Sequence, residues 1–100
     1  MDIYYITATV YPKAGNEEAV KAAILDNIPK VRKEKGCLRY DLHVLKAGGG
    51  KFLFYEIWAD KAAFEAHRVA PHMTVYRERI KDLLEKPSDV SVWSAVDIAQ

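Results

Sequence analysis

The chain has 100 residues, half of them hydrophobic, and 15 Lys and Arg against 14 Asp and Glu leave a net charge of +1. That length suits one domain spanning residues 1–100. Evenly spread charge without a basic block argues against a nucleic-acid partner, and the apolar runs fall well short of the roughly 20 residues a membrane span needs. A single cysteine, Cys37, rules out a disulfide framework, and the N-terminus lacks the basic stretch of a signal peptide, so a cytoplasmic location is expected.

Residues 3–11, rich in β-branched and aromatic types, predict a first strand. Pro12 and Gly15 mark a turn, Asn16 is a candidate N-cap, and Glu17 and Glu18 suit the first turn of a helix. Val20, Ile24, Ile28 and Val31 recur at helical spacing, Pro29 is expected to kink or restart the helix, and Gly36 ends it. Residues 37–46 alternate, with Leu38, Tyr40, Leu42 and Val44 on one face and Cys37, Arg39, Asp41 and His43 on the other. Gly48-Gly49-Gly50 then reads as a hairpin connection into a strand over 52–59. That strand is apolar on both faces, apart from Glu56 beside Phe52, Phe54 and Trp58, so both faces are expected to be covered.

Asp60 can cap a short helix through His67, and Pro71 suits the first position of another, with Met73, Tyr76, Ile80 and Leu83 as its inner stripe. Pro87 is expected to close it, and Val90–Asp97 alternates as a last strand. The order β-α-β-β-α-β is the ferredoxin-like α+β pattern, a four-stranded antiparallel sheet with helices on one face. Aromatic residues left on the other face, and the high apolar content of so small a chain, suggest a homodimer that pairs two sheets.

The candidate chemistry lies between Phe54 and Tyr76. Two imidazoles beside aromatic surface suit proton transfer in an apolar pocket. His67, on an inward helix position near Phe64, is the first candidate base; the alternative is a packing histidine between helices. His72 sits in a helix first turn, where the dipole disfavours positive charge; it could instead clamp a backbone carbonyl. Trp58 could stack on a planar substrate and steer an oxygen with its indole N–H, or be a core residue. Tyr40 and Tyr76 could present hydroxyls to a cavity. Glu56, if buried, needs a partner such as Arg39 or a histidine, or must be protonated; a structural ion pair is its plainer reading. Arg39 and Asp41 share a strand face and suit a pair. No ligand spacing for a metal is present, Cys37 has no activating neighbour, and the triple glycine lacks the context of a phosphate loop.

Gly36-Cys-Leu-Arg-Tyr-Asp-Leu42, Glu56-Ile-Trp58, Glu65-Ala-His67 and Pro71-His72-Met73, with Tyr76 following, resemble the antibiotic biosynthesis monooxygenase family and within it the bacterial quinol monooxygenases. The resemblance covers essentially the whole chain and implies a dimeric α+β barrel. It also implies oxidation of a quinol, phenolic or polycyclic aromatic substrate by O₂ with no flavin, haem or metal. His67, His72 and Trp58 would then be catalytic, and Tyr40, Phe54, Phe64 and Tyr76 would line the substrate site. Departures are visible. Phe54 and Phe64 stand where the polyketide-oxidising branch has asparagine and tyrosine, and strand one lacks the asparagine of the haem-degrading branch. Two other functions stay open: an isomerase-type enzyme on a small sugar phosphate, with Arg39, Arg68 or Arg77 as the anion-binding cation, and a non-catalytic ligand-binding dimer. Filling of the pocket by Phe54, Phe64 and Trp58 would favour the last.

Overall fold

A computed structural model describes residues 2–99; Met1 and Gln100, the ends of the expected 1–100 domain, lie outside the described residues. Strand β1 (Tyr4–Pro12) alternates half-buried and buried positions, turning Ile6, Ala8 and Val10 inward. Helix α1 (Glu17–Arg32) carries the predicted apolar stripe, to which Ala23 and Asn27 also belong. Asn16 stands at the cap position but makes no capping bond with its side chain. The helix does not restart at Pro29 but runs through it to Arg32. Pro29 lies on the exposed side, and so does Leu25, whose carbonyl loses its helical donor, so water can satisfy that group.

Strands β2 (Cys37–Val44) and β3 (Phe52–Trp58) form the expected hairpin. The Leu45 N–H donates to Lys51 O at 2.9 Å, and Gly48, Gly49 and Gly50 all adopt positive φ, which glycine reaches without a Cβ clash. A register shift between Cys37 and Arg39 corrects the face assignment at the start of β2. The extra residue turns Cys37 onto the core side opposite Trp58 and leaves Leu38 59% exposed. Helix α2 (Lys61–Arg68) is capped by Asp60, whose Oδ1 accepts the Ala63 N–H at 2.8 Å. Helix α3 (Pro71–Ile80) begins on Pro71, as predicted.

The last strand is the largest correction. A 3-10 turn at Lys81–Leu83 ends the helical part, and β4 runs Leu84–Trp93, starting earlier and stopping sooner than the alternation suggested. Pro87 therefore lies inside the strand rather than closing a helix. Two register shifts against β1, between Thr9 and Tyr11 and between Tyr11 and Pro12, bulge the strand there, and β4 is at the sheet edge, where a missing N–H is tolerated.

The sheet order is β2-β3-β1-β4, all antiparallel, giving a ferredoxin-like α+β fold whose second crossover contains two helices. The core lies between the helices and one sheet face, with Trp58, Ile6, Ile24, Val20 and Val31 fully buried. Within the chain only that face is covered. On the other, the register aligns Tyr5 with Ile57 and Trp93, and Thr9 with Leu53; Leu53 is 38% and Trp93 55% exposed.

Candidate functional site

The site is assembled where the α1–β2 turn, the end of β3 and the α2–α3 joint meet. Helical spacing turns Phe64 and His67 to the same inner side of α2, and both are buried. Strand alternation does the same for Glu56 and Trp58 at the end of β3. Trp58 and His67 lie with their rings stacked, centroids 4.5 Å apart. Tyr40 meets the edge of His67 at 5.8 Å and stacks on Phe54 at 4.8 Å. Phe64 faces Tyr4 at 5.9 Å.

Two carboxylates organise the polar atoms. Glu34 Oε2 lies 3.0 Å from His67 Nδ1 and 2.7 Å from His72 Nε2, joining residues from three segments. Glu56 Oε1 accepts the Trp58 indole N–H at 2.9 Å and lies 3.9 Å from His67 Nε2. His67 and Glu56 are deeply buried, whereas the Glu34 and His72 side chains retain 13% and 22% exposure, so the network runs from the core to the surface.

Burial pushes the Glu56 carboxyl up to about 7; the Trp58 hydrogen bond works against this and the charge of Glu34 adds to it. Burial lowers the proton affinity of His67, opposed by the hydrogen bond and charge of Glu34, so its neutral form is favoured. Burial also raises the Tyr40 and Tyr76 hydroxyls well above the usual phenol range, keeping both protonated. Neither tyrosine is therefore a ready phenolate, and the proton acceptors of the network are its imidazoles and carboxylates.

All seven site residues proposed from sequence, His67, His72, Trp58, Tyr40, Phe54, Phe64 and Tyr76, are in this region, and all but His72 are buried. Their contacts differ in detail from expectation. His72 bonds the Glu34 carboxylate rather than a backbone carbonyl. The Trp58 N–H is directed to Glu56. Arg39 is not the partner of Glu56: it lies on the opposite sheet face and pairs with Asp41 at 2.7 Å, the pair the sequence suggested. Glu34 was missed. It follows the last helical residue of α1 by two positions, where an acid looks like solvated helix-end charge, and only the fold brings it to residues 33 and 38 positions away. Asn27 was missed as well; its buried amide donates to the Met73 sulfur at 3.2 Å.

No group of three or more His, Cys, Asp or Glu among the described residues is arranged to hold a metal ion. Surface hollows of about 350 and 250 Å³ lie at the β2–β3 hairpin end, lined by residues such as His43, Val44 and Phe52, away from the Glu34–His67 network. No described helix is long and apolar enough to cross a membrane.

Residues 3–79 match the family described as antibiotic biosynthesis monooxygenase. The chain belongs to that family. Rv0793 of Mycobacterium tuberculosis is 32% identical over 94 residues, covering 94% of this chain and 92% of that protein. The solved structure of Rv0793 has a TM-score of 0.90 to this fold and covers 98% of this chain and 99% of its own. A crystal structure described as an antibiotic biosynthesis monooxygenase is 29% identical, with a TM-score of 0.88, covering 94% of this chain and 99% of that one. PA3566 of Pseudomonas aeruginosa is 26% identical, with a TM-score of 0.89 and 97% of each chain covered. The family match spans β1 through nearly all of α3, so it includes every residue of the network.

Proposed function

We propose that this member of the antibiotic biosynthesis monooxygenase family oxidises a quinol or related phenolic substrate with O₂ and without a cofactor, and acts as a homodimer. The observation that carries this reading is the His67–Glu34–His72 network buried against Trp58, Tyr40 and Phe54. Triplet O₂ reacts poorly with paired-electron organic molecules, but a phenolate can pass it one electron. Superoxide and the substrate radical then combine at a ring carbon, and loss of that carbon's hydrogen with the outer peroxide oxygen, as water, leaves the inner oxygen as a carbonyl, which enolises to a hydroxyquinone. The protein must supply a base for the phenolic proton, aromatic surface for the ring and donors for the anion. His67 Nε2 is the base. The gap of 3.9 Å to Glu56 Oε1 is too wide for a direct hydrogen bond. A substrate hydroxyl set to one side of the line joining them, at hydrogen-bond distance from both, would meet the imidazole and the carboxyl together. Access is from the side of Glu34 and His72, the members of the network that reach the surface.

The open sheet face supports a dimer: Leu53 and Trp93, both on it, stay 38% and 55% exposed. A second sheet packed there would cover this surface, in keeping with the apolar content of the chain.

One observation favours a second reading, a ligand-binding dimer without turnover: Phe54, Phe64 and Trp58 fill the space between sheet and helices and are at most 5% exposed. For the sugar-phosphate reading, only Arg77 lies near the network, where its charge acts on His67 and Tyr76. Arg39 and Arg68 are exposed and paired with Asp41 and Glu65, and Arg77 is exposed. Oxygen uptake by chelator-treated protein with naphthohydroquinones, corrected for autoxidation, separates these readings. Saturable uptake lost in His67→Gln supports the oxygenase. Tight binding of the same compounds with no uptake above background supports the binding module and overturns it.

A further inference from the structure

A carboxylate oxygen only accepts hydrogen bonds, and Glu34 Oε2 faces one nitrogen from each of two imidazoles, Nδ1 of His67 at 3.0 Å and Nε2 of His72 at 2.7 Å. Both of those nitrogens must carry hydrogen. A neutral imidazole has only one N–H, so in the neutral form each ring has its tautomer fixed, Nδ1–H for His67 and Nε2–H for His72. We propose that Glu34 is a positioning residue that locks His67 as the Nδ1–H tautomer, leaving its Nε2 lone pair as the base inside the core, and holds His72 as the Nε2–H tautomer at the surface. Its consequence for turnover rests on the oxygenase reading; the tautomers themselves do not.

The turn carrying Glu34 is built to hold that carboxylate in place. Its N–H donates to Val31 O at 2.9 Å, and its carbonyl accepts from Cys37 N at 3.2 Å. Gly36, at φ +84°, lies so close to α2 that a Cβ there would sit 2.5 Å from the Ala63 Cβ, and its carbonyl accepts from Ala59 N at 2.9 Å. Arg32 secures the far side, with Nε and Nη2 donating to Tyr40 O at 3.2 and 2.9 Å. The turn is thus tied to α1, β2, the end of β3 and α2, the segments that frame His67. Besides Glu34, the charged or titratable groups acting on His67 are Tyr40 from β2, Glu56 from β3, and His72 and Arg77 from α3. Of these only Glu34 is within hydrogen-bond distance of a ring nitrogen. When Nε2 takes the phenolic proton, the imidazolium keeps its Nδ1–H directed at the Glu34 carboxylate, whose charge stabilises the new one.

Long-range ¹H–¹⁵N correlation spectra of full-length, ¹⁵N-histidine-labelled protein test this, with exposed His43 as an internal reference. We expect Nδ1–H for His67 and Nε2–H for His72 in the wild type at pH 7.5. Glu34→Ala should release the lock, converting at least one ring to the other tautomer or to an averaged signal. Glu34→Gln, whose amide oxygen still accepts, should keep the His67 tautomer but lower its proton affinity. With a turned-over naphthohydroquinone, kcat/KM should fall at least tenfold in Glu34→Ala, and in Glu34→Gln the acid limb of its pH profile should move to lower pH. An Nε2–H His67 in the wild type, or unchanged tautomers in Glu34→Ala, overturns the proposal. If Glu34→Ala does not fold, the wild-type spectrum decides alone. Correct tautomers with no oxygen uptake would sink the oxygenase reading and leave the lock standing.

Discussion

A carboxyl at position 56 has to enter a site that disfavours its charge. Its side chain is deeply buried against Trp58 and His67, and its proton affinity rises from the ordinary 4.5 to about 7. Because the folded state holds that proton more tightly than the unfolded chain, the associated stability is complete below pH 4.5 and is lost as pH rises through 7. At 1.36 kcal/mol per pH unit, that span corresponds to about 3 kcal/mol, roughly 12 °C or more in Tm for a domain of this size. Glu56→Gln keeps the shape and an acceptor for the Trp58 N–H but cannot ionise. The variant should therefore match the wild type more closely at pH 5 and exceed it progressively toward pH 8, the gap widening by about 2.5 kcal/mol. His67, with lowered proton affinity, tilts both proteins in the opposite sense below pH 6.5 and largely cancels in the difference. Urea denaturation followed by far-ultraviolet circular dichroism at pH 5, 6, 7 and 8 measures it. A gap that stays constant across that range refutes the reasoning, because it would mean that Glu56 ionises equally easily folded and unfolded.

Gly36→Ala should destabilise the fold by about 2 kcal/mol or more, since the left-handed backbone and the close approach to Ala63 both oppose a Cβ; a wild-type Tm would contradict this. Burial raises the Cys37 thiol to about 11, so at pH 7.5 it should react with a thiol-directed disulfide reagent far more slowly than in urea-unfolded protein. Equal rates would show the thiolate to be accessible in the fold. Sedimentation should give twice the 11.4 kDa chain mass at micromolar concentration, and Ile57→Arg on the open sheet face should shift it toward monomer. A wild-type monomer, or a variant that remains fully dimeric, would remove that face from the interface.

Hydrophobic periodicity along the chain determined most of the fold. Alternation marks β1 and the paired faces of β3, the 3.6-residue stripe marks α1, and Asp60, Pro71 and the glycine run mark boundaries by their own backbone chemistry. These are local properties, readable because each residue type favours one conformation whatever surrounds it. The sequence was less informative where partners decide: the bulge that turns Cys37 inward, the passage of α1 through Pro29, and β4 beginning before Pro87 all depend on solvent exposure or on the pairing strand. The same division holds for the site. His67, Trp58 and the surrounding aromatics stood out by type and spacing, but Glu34 reads locally as one more acid at a helix end. Only tertiary structure brings it to His67 and His72, where its oxygen faces one nitrogen of each ring, and only burial raises the proton affinity of Glu56. Proton positions depend on distances across the fold, and no local pattern in the chain carries them.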